Sequence, residues 1–323
     1  MPTLPRIQII STGGTIANTV DGRVGIEQVL KDIRDWYPAG DPAAHAQLAV
    51  TEILREGAET FTPREWLTIS HAVNDAVADP DVAGVVVTHG TYTAEETAYF
   101  LHLTVRGDKP VVVACSQRKH LSIGNDGDWN LGDAVRIAVS PEARGKGVLV
   151  VLNEEIHSAR EVTKTNQRPG GFASGALGLL GSVESDRVSF YRQPTRRHTA
   201  ASEFDVRDLD ELPRVDIVPT YAGADGVAAR AYVAAGARGL VVSGFAYRGR
   251  PHRFQLDALH EAVEQGVAVV LASRGGNGRV PVETGDGFVR GDNLSATKAR
   301  ILLMLALTTG AHGDDLQRIF DEY

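Results

Sequence analysis

Short apolar runs recur along the first half of the chain, at residues 7–11, 82–88, 110–114 and 148–153. Each is rich in Val and Ile, is of strand length and is flanked by turn-forming residues, the pattern of buried strands. Between them, residues 63–78, 95–106 and 131–139 space their apolar positions as helices do. This alternation predicts a parallel sheet covered by helices. Pro63 suits a first helical turn, and Thr62 followed by Glu65 reads as a capping box. A polar, irregular stretch with Arg192, Arg196, Arg197 and His198 beside Pro194 and Pro213 interrupts the pattern, and is read as a solvated linker. The pattern then restarts, with strands at 215–220, 239–243 and 267–272 and helices at 226–235, 256–265 and 296–307. The expected organisation is α/β throughout: a larger N-terminal parallel-sheet domain over residues 1–190, a linker over 191–213 and a smaller C-terminal α/β domain over 214–323.

Composition narrows the class of partner. The chain has 323 residues, 43% apolar and 23% charged, with a net charge of −8. That is the balance of a soluble globular protein, and the acidic charge argues against a nucleic-acid footprint. A small-molecule partner is expected. No apolar run reaches transmembrane length, so no membrane role is expected, and residues 1–6 lack the apolar stretch of a signal peptide, so the expected location is cytoplasmic. The single cysteine, Cys115, ends a strand-like run and reads as a small core residue.

The chemistry gathers at three places. Thr12-Gly13-Gly14-Thr15 follows the first apolar run, so a strand empties into a glycine turn bearing two hydroxyls. Thr88-His89-Gly90-Thr91-Tyr92-Thr93 repeats the arrangement after the second run, and Val162-Thr163-Lys164-Thr165-Asn166 sets a lysine among threonines. Open α/β sheets bind ligands at the carboxyl ends of their strands, and glycines let backbone and ligand approach closely. A threonine hydroxyl attacks a carbonyl only with a base in reach and donors for the oxyanion. Lys164, if neutral, is a candidate base, and a neighbouring threonine can relay the proton. Acyl transfer from an amide or ester is the reaction class these residues suggest. His89 is read as structural. No dinucleotide fingerprint, phosphate loop, zinc-protease helix or serine-hydrolase elbow is present, and the ten histidines show no ligand spacing.

These stretches, with Glu95-Glu96-Thr97-Ala98-Tyr99-Phe100, Lys109-Pro110-Val111-Val112 and Lys298-Ala299-Arg300, resemble the bacterial L-asparaginase/glutaminase family from Ile7 to Tyr323. The resemblance implies cofactor-free and metal-free hydrolysis of a side-chain amide, and a homotetramer, a dimer of dimers, with sites between subunits. It implies Thr12 as nucleophile, with Thr91 and Lys164 assisting. Substrate contacts fall to Thr15, Ala58, Glu59, Gly90, Tyr92 and Ser116.

Several positions depart from the family pattern. Tyr92 stands where the family has an aspartate that grips the substrate's amino group, and Ala58 stands where it has a serine. Residues 18–25 are shortened and lack the lid tyrosine. The acid contributed by a neighbouring subunit falls near Val280, with Glu283 close by. These changes suggest an amide lacking a free α-amino group or carrying a bulkier substituent. The alternatives are a catalytically weak family member that binds a small molecule and, last, an amidotransferase subunit.

Overall fold

The structure, a computed structural model, describes residues 3–283 and 285–323. It divides into two units, the first ending at Leu209 and the second running from Asp210 to Tyr323.

In the first unit the apolar runs become the middle of an eight-stranded sheet. Its spatial order is Val188–Phe190, Gly181–Val183, Glu155–Ser158, Val148–Leu152, Val111–Ala114, Val82–Thr88, Arg6–Gly13 and Gln47–Glu56. The five strands from Val148–Leu152 to Gln47–Glu56 are parallel. The remaining three continue the sheet antiparallel, an extension that the predicted all-parallel sheet lacked. Both faces of the four inner parallel strands are covered, which is why their sequences run nearly all apolar rather than alternating with polar residues, whereas the edge strand Gln47–Glu56 has no buried residue.

The two faces divide by the period of two that a pleated strand imposes. Ile7, Ile9, Val86, Val112 and Val151 pack on one side with Val29, Leu30 and Ile33 of the helix Ile26–Trp36 and Leu131 and Val135 of the helix Gly127–Val139. Ile10, Val85, Val87, Val113 and Val150 pack on the other with Ile69 and Val73 of the helix Pro63–Ala78 and Ala98 and Leu101 of the helix Ala94–Thr104. At roughly 1.5–3 kcal/mol for each large aliphatic side chain withdrawn from water, these two layers are the main source of the unit's stability. The helix Pro63–Ala78 carries the expected capping box at Thr62 and Glu65.

Chain order places a crevice. The helix Ile26–Trp36, after the first strand, lies on one face, whereas Ala94–Thr104, after Val82–Thr88, lies on the other. Adjacent parallel strands whose following helices leave to opposite faces form a topological switch point, open at the strands' carboxyl ends. Thr12 and Thr91 belong to the segments at those two ends.

Residues 191–209 cluster with the first unit, where Phe204 and Val206 are buried and the Arg106 guanidinium donates to the Ser202 carbonyl. The second unit has a parallel sheet ordered Val215–Pro219, Gly239–Gly244, Ala268–Ser273 and Val289–Arg290. Leu240, Val242, Val269 and Leu271 share a core there with Ala258, Leu259 and Ala262 of the helix Leu256–Glu264.

Candidate active site

The first two turns touch each other. Gly14 has φ 87° and ψ 177°, a conformation open essentially to glycine alone. A β-carbon there would lie 2.5 Å from the Gly90 nitrogen, so the threonine-glycine turn is pressed against the turn that follows Val82–Thr88. Gly90 is hemmed in on another side, because a β-carbon on it would lie 2.9 Å from that of Ala58. Ala58 is buried in the short 3-10 turn Ala58–Thr60, and its carbonyl accepts a hydrogen bond from Thr93 Oγ1 at 3.0 Å.

Within this junction Thr12 is fully buried, and its Oγ1 donates to the Thr88 carbonyl at 2.8 Å. Ser11 and Thr88 face each other in register across the two strands. Lys164 lies in a two-residue strand, Thr163–Lys164, paired antiparallel with Phe172–Ala173. Its Nζ donates to Thr91 Oγ1 at 2.8 Å, so residues 73 apart in sequence form a direct bond. Its backbone N–H donates to Glu95 Oε2 at 2.9 Å, which fixes the lysine's main chain to the first turn of the helix Ala94–Thr104. This tie from Glu95 was missed in the sequence. The only available signal was a carboxylate four residues beyond Thr91, and a partner 69 residues away has no local signature.

The other positions separate into those that join the cluster and those that do not. The Tyr92 ring lies 5.3 Å from Lys164 Nζ, within cation–π range, yet 71% of the tyrosine is exposed. Thr15 is half-buried and opens the 3-10 turn Thr15–Ala17. Glu59 is exposed, with its carboxylate lying back against Gly57. Ser116 is buried but donates to the Arg118 carbonyl at 2.9 Å, so its hydroxyl serves its own turn. His89 is fully buried; burial pushes its pKa down to about 4, and Nδ1 bonds the Gly90 carbonyl at 2.7 Å. A ring that stays neutral and braces the glycine turn is a structural residue. Burial likewise raises the Cys115 thiol, as befits a core side chain rather than a nucleophile.

Within residues 18–25 the chain forms a small hairpin over 18–23, with Asn18–Thr19 paired to Gly22–Arg23. Arg23 pins it, donating to Asn18 Oδ1 at 2.8 Å and to the Arg55 carbonyl at 2.6 Å. In the second unit Val280 is buried, and Glu283 is held by Arg248 with Arg250 and Arg290 within 4 Å. Among the described residues, no group of three or more His, Cys, Asp or Glu side chains is arranged to hold a metal ion.

Two family models cover nearly the whole chain: the asparaginase N-terminal domain matches residues 6–196 and the glutaminase/asparaginase C-terminal domain matches residues 214–320. This chain belongs to the asparaginase family. Among its family relatives is L-asparaginase 2 of Bacillus subtilis, 40% identical over 99% of this chain and 87% of the relative. The glutaminase-asparaginase of Pseudomonas fluorescens is 36% identical over 99% of this chain and 91% of its own length. The crystal structure of a probable cytoplasmic L-asparaginase from Campylobacter jejuni matches with a TM-score of 0.93 and 38% identity, covering 99% of this chain and all of that one. The asparaginase family assignment thus spans both units.

Proposed function

We propose that this protein hydrolyses a side-chain amide to a carboxylate and ammonia through an acyl-threonine intermediate. The observation that carries the reading is the Lys164 Nζ to Thr91 Oγ1 bond, made at the switch-point crevice where the glycine turn holds Thr12. In the proposed sequence Thr12 Oγ1 leaves its bond to the Thr88 carbonyl and attacks the amide carbon, while its proton passes through the Thr91 hydroxyl to a neutral Lys164. Backbone N–H groups of the glycine turns supply the donors that an oxyanion needs. Collapse of the tetrahedral adduct breaks the C–N bond, and the lysine returns the proton to the departing ammonia. Water then cleaves the ester and regenerates Thr12. Neither a metal nor an organic cofactor enters this scheme.

The substrate end is where this chain differs from its family. Tyr92 brings a phenol and Ala58 a methyl group to positions where the family pattern has a carboxylate and a hydroxyl. A site so altered favours an amide whose α-amino group is absent or masked, with Glu59 as the remaining carboxylate for any cationic group. Family resemblance supports a homotetramer, and the Campylobacter jejuni neighbour, described as cytoplasmic, supports that location. The mass in solution tests the assembly against the 34.6 kDa of one chain. An apolar hollow of about 960 Å³, with Trp36, Tyr37, Leu121, Ile123 and Trp129 on its wall, gives such an assembly a surface to cover.

The test is ammonia release from L-asparagine, L-glutamine, their N-acyl derivatives and simple dicarboxylic monoamides. The reading expects turnover of at least one, with the masked or amino-free amides ahead of L-asparagine. Release from none of them contradicts hydrolysis, and a clear preference for free L-asparagine contradicts the altered substrate.

A further inference from the structure

Lys164 stands on a weak element. Thr163–Lys164 and Phe172–Ala173 form a two-stranded sheet separate from the eight-stranded one, and a ribbon of that size has little stability of its own. Val162 is buried on one side of the lysine, but residues 165–170 on the other are exposed. The ribbon's own bonding passes the lysine's N–H by. Thr165 N–H donates to the Gly171 carbonyl at 2.6 Å, and in an antiparallel pair the preceding residue turns its N–H to the opposite side. There it meets Glu95 Oε2 at 2.9 Å. The tie from Gly171 N–H to Gln117 Oε1, at 3.4 Å, is longer than an ordinary hydrogen bond.

Glu95 is itself firmly placed. It lies in the first turn of the helix Ala94–Thr104, where the Glu96 and Thr97 N–H groups donate to the Thr93 carbonyl at 3.1 and 3.0 Å and Thr93 Oγ1 donates to the Ala58 carbonyl. One braced segment therefore bears both the Glu95 carboxylate and the Thr91 hydroxyl. The two bonds to Lys164 close a ring, Glu95 gripping the main chain and Thr91 the tip of the side chain. A lysine's four-carbon stem is flexible, so its ammonium is held only as well as its root. A displacement on the order of 1 Å at a reacting group costs about a hundredfold in rate. A carboxylate in a first helical turn also complements the helix's positive end, but that role needs charge and no particular reach. Holding the Lys164 N–H needs the opposite, an acceptor at full side-chain length with or without charge.

We propose that Glu95 is a positioning residue for the hydrolysis: its carboxylate anchors the Lys164 main chain so that Nζ stays in register with the Thr91 hydroxyl. This role rests on the amidase reading, in which Lys164 takes the proton.

Steady-state kinetics and thermal unfolding of Glu95→Gln, Glu95→Asp and Lys164→Met test it, on whichever amide of the panel above the parent turns over fastest. Glutamine keeps an acceptor at the same reach without the charge, whereas aspartate keeps the charge and withdraws the acceptor by one methylene. The expected result is that Glu95→Asp lowers kcat about tenfold or more with KM nearly unchanged, while Glu95→Gln recovers most of that loss, the signature of a group needed for the chemical step rather than for binding. The reverse order, with aspartate near parental and glutamine impaired, assigns Glu95 to the helix end and overturns the proposal. So does a kcat that merely follows the unfolding midpoint, or parental kcat in both Glu95 variants beside an inactive Lys164→Met, a result that leaves the amidase reading standing. Parental turnover by Lys164→Met, or no turnover by the parent, defeats the amidase reading and the proposal together.

Discussion

Tyr92 concentrates the question of specificity in one side chain. Its ring lies 5.3 Å from Lys164 Nζ, yet it offers no carboxylate, where the family resemblance implies an aspartate that receives the substrate's amino group. A charge-assisted hydrogen bond contributes about 1.5–3 kcal/mol, which corresponds to about ten- to hundredfold in rate or affinity. Tyr92→Asp is therefore expected to raise kcat/KM for L-asparagine by about that factor while leaving amino-free amides unchanged or worse. Steady-state kinetics on both substrates checks this, and a fall for both would contradict the assigned role. The residue types are legible in the sequence itself: Thr12, Thr91 and Lys164 stand out as hydroxyls and an amine near glycines and threonines. What no sequence pattern carries is a side chain's direction, so neither the exposure of Tyr92 nor the use of the Ser116 hydroxyl within its own turn could be read.

At the scale of elements, the site exists because two loops can touch. Gly14 occupies a conformation that costs other residues about 1–3 kcal/mol, and a β-carbon would also collide with the Gly90 backbone. Gly14→Ala is expected to push the two turns apart, lowering activity by more than about a hundredfold and thermal stability by several degrees. A variant with parental turnover would show that the contact is dispensable. The strands feeding these loops are plain in the sequence, because a strand covered on both faces must be apolar nearly throughout. The helix Ile26–Trp36 is absent from the expected elements although its pattern is clear: Ile26, Val29, Leu30 and Ile33 repeat at helical spacing and all are buried. The strand Gln47–Glu56 is harder. It lies at the sheet edge, most of its residues are only partly buried or exposed, and Leu48, Val50, Ile53 and Leu54 do not alternate strictly with polar neighbours.

For the whole molecule, stability should carry the mark of His89. Its folded pKa of about 4 lies below the ordinary value of 6.5 because burial disfavours the charged ring. Above pH 6.5 both folded and unfolded chains leave it neutral, and its full contribution is present. As pH falls from 6.5 toward 4 the unfolded chain takes the proton first, so folding loses up to about 3 kcal/mol. His120 works the other way. Burial opposes its charge, but hydrogen bonds with Asp128 and Asp32 prevail and hold its pKa above the ordinary value. Its contribution is present below pH 6.5 and fades as pH rises through the folded value. Urea unfolding of the parent and of His89→Asn at steps between pH 7.5 and 4.5 isolates the His89 share, and the variant should lose less stability on acidification. Identical pH profiles would contradict a neutral, buried ring. The division into two units is visible in the break of the apolar rhythm, but the attachment of residues 191–209 to the first unit is not, since Phe204 and Val206 are isolated apolar positions in a polar stretch.

The nucleophile is open to direct capture. Acid quench of the enzyme during turnover of its best amide, followed by peptide mass mapping, should find the substrate's acyl group esterified to Thr12 and should find none in Thr12→Val, which is expected to remain folded and to release ammonia at least about a thousandfold more slowly. An acyl group on any other residue, or ammonia released at the parental rate by Thr12→Val, would contradict the mechanism.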